Sequence, residues 1–173
     1  MAGSPRTCRP RVIWAGITAG GEELVGDFAS TGLWLYGSGA WTMLSGVNSD
    51  AAASADIDHS GDKEIIGDFA STGLWLWDSG NWTQLSGVNA DDMLAANADG
   101  DGAEEVLGDF AGLGLWLFDA GGWSQVSGVN PEGLLAADVD GDGAREIIAD
   151  FGSLGVWKWD AGAWRQISAN NPD

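Results

Sequence analysis

The stretch ADVDGDGAREIIADFG, residues 137–152, decides how this chain folds. Its acidic, glycine-rich segment follows one short apolar run and precedes three more, at 133–137, 146–149, 156–159 and 164–168. Each run is too short for a helix but has the length of a strand. Glycine and aspartate favour the turns between them. This part of the chain therefore predicts four short strands joined by tight connections.

The four-run pattern recurs at a fixed step of 41 residues, with no insertion or deletion. An Asp-Phe pair keeps this step as Asp27-Phe28, Asp68-Phe69, Asp109-Phe110 and Asp150-Phe151, and so do two tryptophans per unit: Trp34, Trp75, Trp116, Trp157 and Trp41, Trp82, Trp123, Trp164. Four strands in a repeat of about 40–45 residues are typical of a propeller blade. The sequence predicts an all-β chain, a β-propeller of four four-stranded blades. An N-terminal arm (1–9) precedes blades at 10–50, 51–91, 92–132 and 133–173.

Four repeats are compatible with three architectures. They are a closed four-bladed ring, a larger ring of eight blades built by two chains, and a fragment of a longer protein. The sequence begins with a first strand and ends with a fourth, so it offers no extra strand to clasp a ring shut. We favour the closed four-bladed ring, with a homo-oligomer as the main alternative.

The acidic loop of the fourth unit has the ligand spacing of a calcium site. Acidic side chains occupy loop positions 1, 3, 5 and 9, position 7 offers a backbone carbonyl, and Gly143 at position 6 permits a sharp turn. The predicted ligands are Asp138, Asp140, Asp142, Ala144 and Glu146 in this unit, Asp56, Asp58, Ser60, Asp62 and Glu64 in the second, and Asn97, Asp99, Asp101, Ala103 and Glu105 in the third. An all-oxygen cage suits a hard cation such as Ca²⁺.

The first unit lacks these acids, because Ala15, Ile17 and Ala19 stand at the ligand positions. We therefore expect about three calcium sites, in blades 2–4. The alternative is that Asp/Gly-rich loops are simply good turns. Three loops in phase, each with acids at alternating positions, favour metal binding over that alternative.

The pattern Asp138-x-Asp140-x-Asp142-Gly143-x-x-Glu146, followed by an apolar strand and Phe151-Gly152, resembles the FG-GAP/VCBS repeats of integrin α-chain-like β-propellers. The resemblance covers nearly the whole chain. It implies that the acidic loop links the first two strands of a blade and holds calcium. The sequence departs from the family in having Glu where the last acid is usually Asp, in lacking a Gly-Ala-Pro triplet, and in having four units instead of the usual seven.

Charge and composition exclude several functional classes. Lys plus Arg is 7 against 26 Asp plus Glu, a net charge of −19, so the chain lacks the basic patch that nucleic acid or an anionic membrane surface requires. No apolar run is long enough for membrane insertion. The lone His59 argues against multi-histidine zinc sites, and Cys8 has no partner for a disulfide. We expect no enzymatic activity, because nothing unique to one repeat has the composition of a catalytic site.

The repeated aromatic residues have two candidate roles. The Trp34 series lies mid-strand and is expected to pack between blades. The series Trp41, Trp82, Trp123 and Trp164 follows a turn and is also expected to pack, with contact to a glycan or protein ligand as the alternative. The Asp27 series is expected to make turn hydrogen bonds, with a ring of acids lining a channel as the alternative.

These features together predict a calcium-stabilised extracellular or cell-surface module for binding or adhesion, with lectin-like carbohydrate recognition as one form of it. Open calcium loops of this kind work at extracellular calcium concentrations. No signal peptide is visible in residues 1–12, which contain basic residues but no apolar segment. The alternative is a structural repeat protein that assembles into a ring or filament and has no small-molecule ligand.

Overall fold

The computed structural model describes residues 11–18 and 21–172, with side chains from Glu23 onward except Ala29. The predicted arm, residues 1–9 with Cys8, lies outside the described residues, and so do the side chains at positions 15, 17 and 19. The described residues form sixteen strands and two short 3₁₀ turns, Ala29–Thr31 and Gly152–Leu154. None of them forms a helix with the length and apolar character that crossing a bilayer requires.

The strands form four antiparallel sheets, and each sheet contains four consecutive strands in chain order. Sheet 1 comprises β1 (Arg11–Thr18), β2 (Gly21–Asp27), β3 (Leu33–Gly37) and β4 (Ala40–Ser45); sheet 2 comprises β5 (Ala51–Ala55), β6 (Glu64–Phe69), β7 (Gly73–Asp78) and β8 (Asn81–Ser86); sheet 3 comprises β9 (Asp92–Ala96), β10 (Glu105–Phe110), β11 (Gly114–Asp119) and β12 (Gly122–Ser127); sheet 4 comprises β13 (Gly133–Ala137), β14 (Glu146–Asp150), β15 (Val156–Asp160) and β16 (Ala163–Ser168). The all-β prediction is confirmed.

Apolar side chains cover both faces of the inner sheets, because each inner sheet packs between two others. We call the face toward the next sheet the forward face and the face toward the preceding sheet the rear face. Between sheets 2 and 3, the forward face presents Ile66, Leu76 and Leu85, and the rear face presents Val106, Phe118 and Trp123. Equivalent clusters join sheets 1 and 2 and sheets 3 and 4. Successive side chains of a strand point to opposite faces, so large apolar residues at consecutive positions serve both interfaces.

The first strands of the sheets adjoin one another in the order β1, β5, β9 and β13. At the end of this series the forward face of sheet 4 stays open: Leu135, Val139 and Ile167 are 53%, 58% and 55% exposed. Ala98, which occupies the position of Val139 in sheet 3, is only 3% exposed. The structure therefore does not show a ring closed within one chain.

Candidate functional site

Three acidic loops join the first and second strands of sheets 2, 3 and 4. We call them the second, third and fourth loops, after their sheets. Each loop turns at the predicted glycine, where φ is +91° at Gly61, +104° at Gly102 and +99° at Gly143. Residues with a side chain rarely adopt this conformation, so glycine is needed there. In the second loop the Gly61 N–H donates to Asp56 Oδ2 at 3.0 Å, and the fourth loop repeats this bond at 3.2 Å. These bonds curl the chain around the carboxylates.

The loops gather carboxylate groups into three clusters that could hold a metal ion. Within each cluster, one carboxylate oxygen from every member lies within 4.8 Å of the others. We name each cluster after its sheet: Asp56, Asp58 and Glu64 form the second cluster, Asp99, Glu105 and Asp119 the third, and Asp138, Asp140 and Glu146 the fourth. The donor set of each cluster is oxygen alone, which fits a hard divalent cation.

The glutamates of all three clusters are buried, and those of sheets 3 and 4 are only half satisfied. Glu105 and Glu146 are each 1% exposed. Their Oε2 atoms accept the N–H groups of Ala98 at 2.6 Å and Val139 at 2.8 Å, whereas their Oε1 atoms are buried and have no hydrogen-bond partner among the described residues. A buried carboxylate without a partner is costly, so a cation between these oxygens would supply what the protein lacks.

The electrostatics of the third cluster agree with this geometry. Burial raises the pKa of the Glu105 carboxyl to about 7; the N–H of Ala98 opposes this rise, and the charges of Asp99, Asp119 and Asp101 add to it. Burial also raises the pKa of Glu64. A group of carboxylates that repel one another in this way is stabilised by a bound cation.

The other seven predicted ligands make hydrogen bonds within their own loops. Asn97, Asp101 and Asp142 accept backbone N–H groups of their own loops through Oδ1, at 2.7, 2.9 and 2.9 Å. Ser60 Oγ accepts the N–H of Asp62 at 3.4 Å. Ala103 and Ala144 are the donors in two of these turns and offer only their backbone to an ion. In sheets 2 and 4 the clustered acids come from loop positions 1, 3 and 9, and in sheet 3 they come from positions 3 and 9 together with Asp119.

Asp119 joins the third cluster although the sequence did not predict it as a ligand. It ends β11, and the antiparallel register pairs Val106 with Phe118. The next residues outward, Glu105 and Asp119, therefore lie opposite each other. The same register places Asp78 opposite Glu64, and Asp160 opposite Glu146. Extending the hairpin register from the predicted strands would have shown this acid.

In sheet 4 a lysine of β15 lies beside the acidic cluster. Lys158 Nζ is 3.3 Å from Asp140 Oδ2 and 2.8 Å from Asp160 Oδ2, and the hydrogen bond to Asp160 raises the pKa of this lysine. The position holds a leucine in the other sheets: Leu35, Leu76 and Leu117.

Neighbouring loops are bound to each other through their backbones. The Glu104 N–H donates to the Asp56 carbonyl at 2.7 Å, and the Arg145 N–H donates to the Asn97 carbonyl at 2.8 Å. In addition, Glu104 Oε2 accepts the Asp56 N–H at 2.8 Å and pairs with Lys63 at 2.6 Å. The loops therefore form one connected row along one end of the sheets.

The two tryptophan series differ in what their indole N–H groups bind. The Trp34 series donates within its own sheet, to the carbonyl three residues earlier. Three members of the Trp41 series donate across to the preceding sheet: Trp82 to Leu44, Trp123 to Leu85 and Trp164 to Val126, at 3.1, 2.8 and 2.7 Å. These three candidate ligand contacts therefore also stabilise the interfaces between sheets by hydrogen bonding.

An apolar pocket of about 260 Å³ lies between sheets 1 and 2. Its walls are the end of β4 and the turn between β6 and β7, together with two indoles, and its lining residues are Ser45, Val47, Phe69, Ala70, Ser71, Thr72, Trp75 and Trp82. Phe69 meets Trp82 edge to face, with ring centroids 5.3 Å apart. A wider hollow of about 660 Å³ lies between sheets 2 and 3, near Asp58 and Asp78.

Asp27, Asp68 and Asp109 are buried at the other end of the second strands, and Asp150 is partly buried there. Asp68 is 1% exposed, and its Oδ2 accepts the N–H of Ala90, in the connection to the next sheet, at 3.2 Å. Asp109 accepts the side-chain amide of Asn130 in the corresponding connection. Asp68 and Asp109 therefore stabilise the connections between neighbouring sheets by hydrogen bonding.

The chain is similar in structure to an Agrocybe aegerita lectin, whose structure was described for its specific recognition of non-reducing terminal N-acetylglucosamine. The two share 20% sequence identity with a TM-score of 0.65, and the match covers 92% of this chain and 52% of the lectin chain. The chain thus spans about half the length of the lectin chain it matches. At this identity the likeness shows the fold alone. No family model matches the chain, and no curated protein does.

Proposed function

We propose that this chain is a calcium-stabilised carbohydrate-binding module of the β-propeller type, built from FG-GAP/VCBS-like repeats and working outside the cell. The pocket between sheets 1 and 2 is the observation that carries the proposal. The likeness to a lectin supports it. The exposed, short acidic loops support the extracellular setting, because loops of this kind suit the calcium concentrations found there.

The pocket has the chemistry that binds a sugar ring. Trp75 and Trp82 provide indole surface and Val47 an apolar rim that is 62% exposed. The C–H face of a pyranose packs on such aromatic surface, while its hydroxyls need polar groups at the edge. Ser71 and Thr72 line that edge. At about 260 Å³ the pocket is slightly smaller than those that hold drug-sized ligands, so it suits one terminal sugar residue.

Equivalent positions recur at the two other interfaces. Val88 and Val129 correspond to Val47, and the Phe and Trp residues follow the 41-residue step. Leu113 and Leu154 replace Thr72 and are 50% and 51% exposed, so these positions are more apolar at the rim. Several related sites on one module would raise its avidity for clustered glycans.

The proposed calcium ions stabilise the module and do not touch the sugar. The acidic loops lie between the first and second strands of each sheet, whereas the pocket lies at the turn between the second and third strands. These connections are at opposite ends of the second strand. Calcium removal should therefore weaken sugar binding only as far as it unfolds the protein.

Sugar binding is tested with N-acetylglucosamine, mannose and galactose by isothermal titration and saturation-transfer NMR. Val47→Asp places a charge on the exposed rim and should abolish binding at this pocket without unfolding the chain. Met43→Asp is the matched control, since Met43 is 54% exposed on β4, the strand that precedes Val47, and does not line the pocket. Equal binding by both variants, or no binding of any monosaccharide or arrayed glycan by the parent chain, would refute the carbohydrate proposal.

Calcium binding is tested by elemental analysis after equilibration with calcium and removal of unbound ions. We expect three ions per chain, and two in Asp140→Ala. Asp91→Ala is the control, because Asp91 is an exposed acid outside the three clusters. A metal-free parent chain would refute this part while leaving the sugar test intact.

A further inference from the structure

The two ends of the row of sheets expose faces that are covered at every internal interface. At the sheet 4 end these are Leu135, Val139 and Ile167, which are more than half exposed. At the sheet 1 end, Phe28 and Trp41 are 37% and 41% exposed, although Phe69 and Phe110, at the position of Phe28 in sheets 2 and 3, are 7% and 4% exposed. Each end is therefore half of an interface.

We infer that the forward face of sheet 4 docks on the rear face of sheet 1 in a second copy of this chain, head to tail. Within the chain, a forward face meets a rear face at three interfaces, and the two open ends are one forward face and one rear face. A second copy is the occupant that supplies a matching rear face with the same 41-residue repeat. This contact is independent of whether the pocket binds sugar.

The internal interfaces predict the contacts of the new one. At each of them an indole N–H crosses to the carbonyl of the preceding sheet, and the acceptors Leu44, Leu85 and Val126 follow the repeat step. The next acceptor in this series is the carbonyl of Ile167, and the remaining donor is the indole of Trp41. Head-to-tail docking brings this donor to this acceptor.

Charges along the acidic loops favour the same orientation. At loop position 8 the sequence alternates in sign as Glu22, Lys63, Glu104 and Arg145. Across sheets 2 and 3, Lys63 and Glu104 form an ion pair at 2.6 Å. Head-to-tail docking continues the alternation by placing Arg145 beside the position of Glu22. Pairing two copies through the same sheet 4 face would instead set Arg145 and Lys158 against their own counterparts.

Docking would also complete a fourth pocket from two copies. The residues that correspond to Ser45 and Val47 are Ser168 and Asn170 of one copy, and those that correspond to the aromatic wall are Phe28, Trp34 and Trp41 of the other. Asn170 adds an amide where the other interfaces have valine. A heterologous contact of this kind closes into a ring or continues as a filament, depending on the rotation between copies.

The test is the solution mass over a range of concentrations, measured by light scattering and sedimentation. The parent chain should associate, whereas Leu135→Asp and Trp41→Asp should each be monomeric. Leu113→Asp is the matched control, because Leu113 is 50% exposed and lies on neither end face. Far-ultraviolet circular dichroism verifies that the monomeric variants are folded. A parent chain that stays monomeric at every concentration would overturn the inference.

Mixing the two monomeric variants distinguishes head-to-tail docking from pairing of like faces. Leu135→Asp keeps an intact sheet 1 face and Trp41→Asp keeps an intact sheet 4 face, so the mixture should form a two-copy complex with one sound interface. A mixture that stays monomeric, or a single variant that still associates alone, would contradict the head-to-tail arrangement. Trp41→Phe should weaken association about two- to tenfold, because it removes one hydrogen-bond donor while retaining an aromatic ring.

Discussion

Filling the three acidic loops with calcium should raise the free energy of unfolding in proportion to the number of sites. Extracellular calcium modules have dissociation constants of about 10⁻⁴–10⁻³ M, so about 10 mM calcium exceeds them roughly 10- to 100-fold. By linkage, each site then contributes about 1.4–2.7 kcal/mol, and three sites contribute about 4–8 kcal/mol. For a chain of 173 residues this corresponds to a rise in Tm of about 10–30 °C.

The variant Asp140→Ala shows how much of the calcium-dependent stabilisation comes from one site. It removes one of the three acids of the fourth cluster, so the calcium-dependent gain should fall by about one third. In chelator the variant should differ little from the parent chain, because the Asp140 side chain is 44% exposed and its lysine partner keeps Asp160. Asp91→Ala removes the same charge outside the loops and should retain the full gain.

The assay is thermal unfolding, followed by tryptophan fluorescence and calorimetry, in chelator and in calcium at constant ionic strength. Magnesium at the same concentration separates specific coordination from charge screening and should give a smaller shift. An unchanged Tm in the parent chain would refute the assignment of the loops. An identical shift in Asp140→Ala and the parent chain would refute the assignment of Asp140 as a ligand.

Three further changes test other parts of the fold. Burial raises the pKa of Asp68 from 3.8 to about 6, so the wild type loses stability relative to Asp68→Asn as pH rises from about 4 to about 6, where the carboxyl is ionised in the unfolded chain but still protonated in the fold. The difference in free energy of unfolding between the two should change by about 1–3 kcal/mol between about pH 4 and pH 7 in urea titrations, and a constant difference would contradict the buried charge. Trp123→Phe should cost about 1–2 kcal/mol by removing the hydrogen bond between sheets, whereas Trp116→Phe, whose bond ends at an exposed turn, should cost less in the same titrations. Gly102→Ala should cost about 1–3 kcal/mol, because φ is +104° and the new methyl group would collide with His59; an unchanged midpoint would show that the loop relaxes.

The sequence was sufficient to predict the strands because a repeat without insertions shows each of them four times. In the fourth unit, the predicted strand at 133–137 is observed as Gly133–Ala137, and the one at 146–149 extends by one residue to Asp150. The acids of loop positions 1, 3 and 9 in the second and fourth units were likewise predicted and lie together. Local spacing decides such features, and spacing is visible in a single chain.

Features that depend on packing between sheets were not predictable in the same way. The candidate ligand contact Trp82 also donates its N–H to the Leu44 carbonyl 38 residues earlier, a bond that the repeat spacing did not predict. Asp119 joins the third cluster because of the register of the hairpin between β10 and β11. Leu135 is exposed because no further sheet packs on the forward face of sheet 4. Side-chain type alone does not encode these relations, because identical residues at the repeat step occupy different surroundings.

The backbone bonds between adjacent acidic loops have a consequence for how the sites fill. The Asn97 carbonyl of the third loop holds the fourth, and the Glu104 N–H of the same loop is held by the second, so the middle loop is tethered on both sides. Ordering the middle loop lowers the conformational entropy that its neighbours still have to lose on ordering. We therefore expect cation binding to the three loops to be cooperative, with the middle loop having the largest effect on its neighbours.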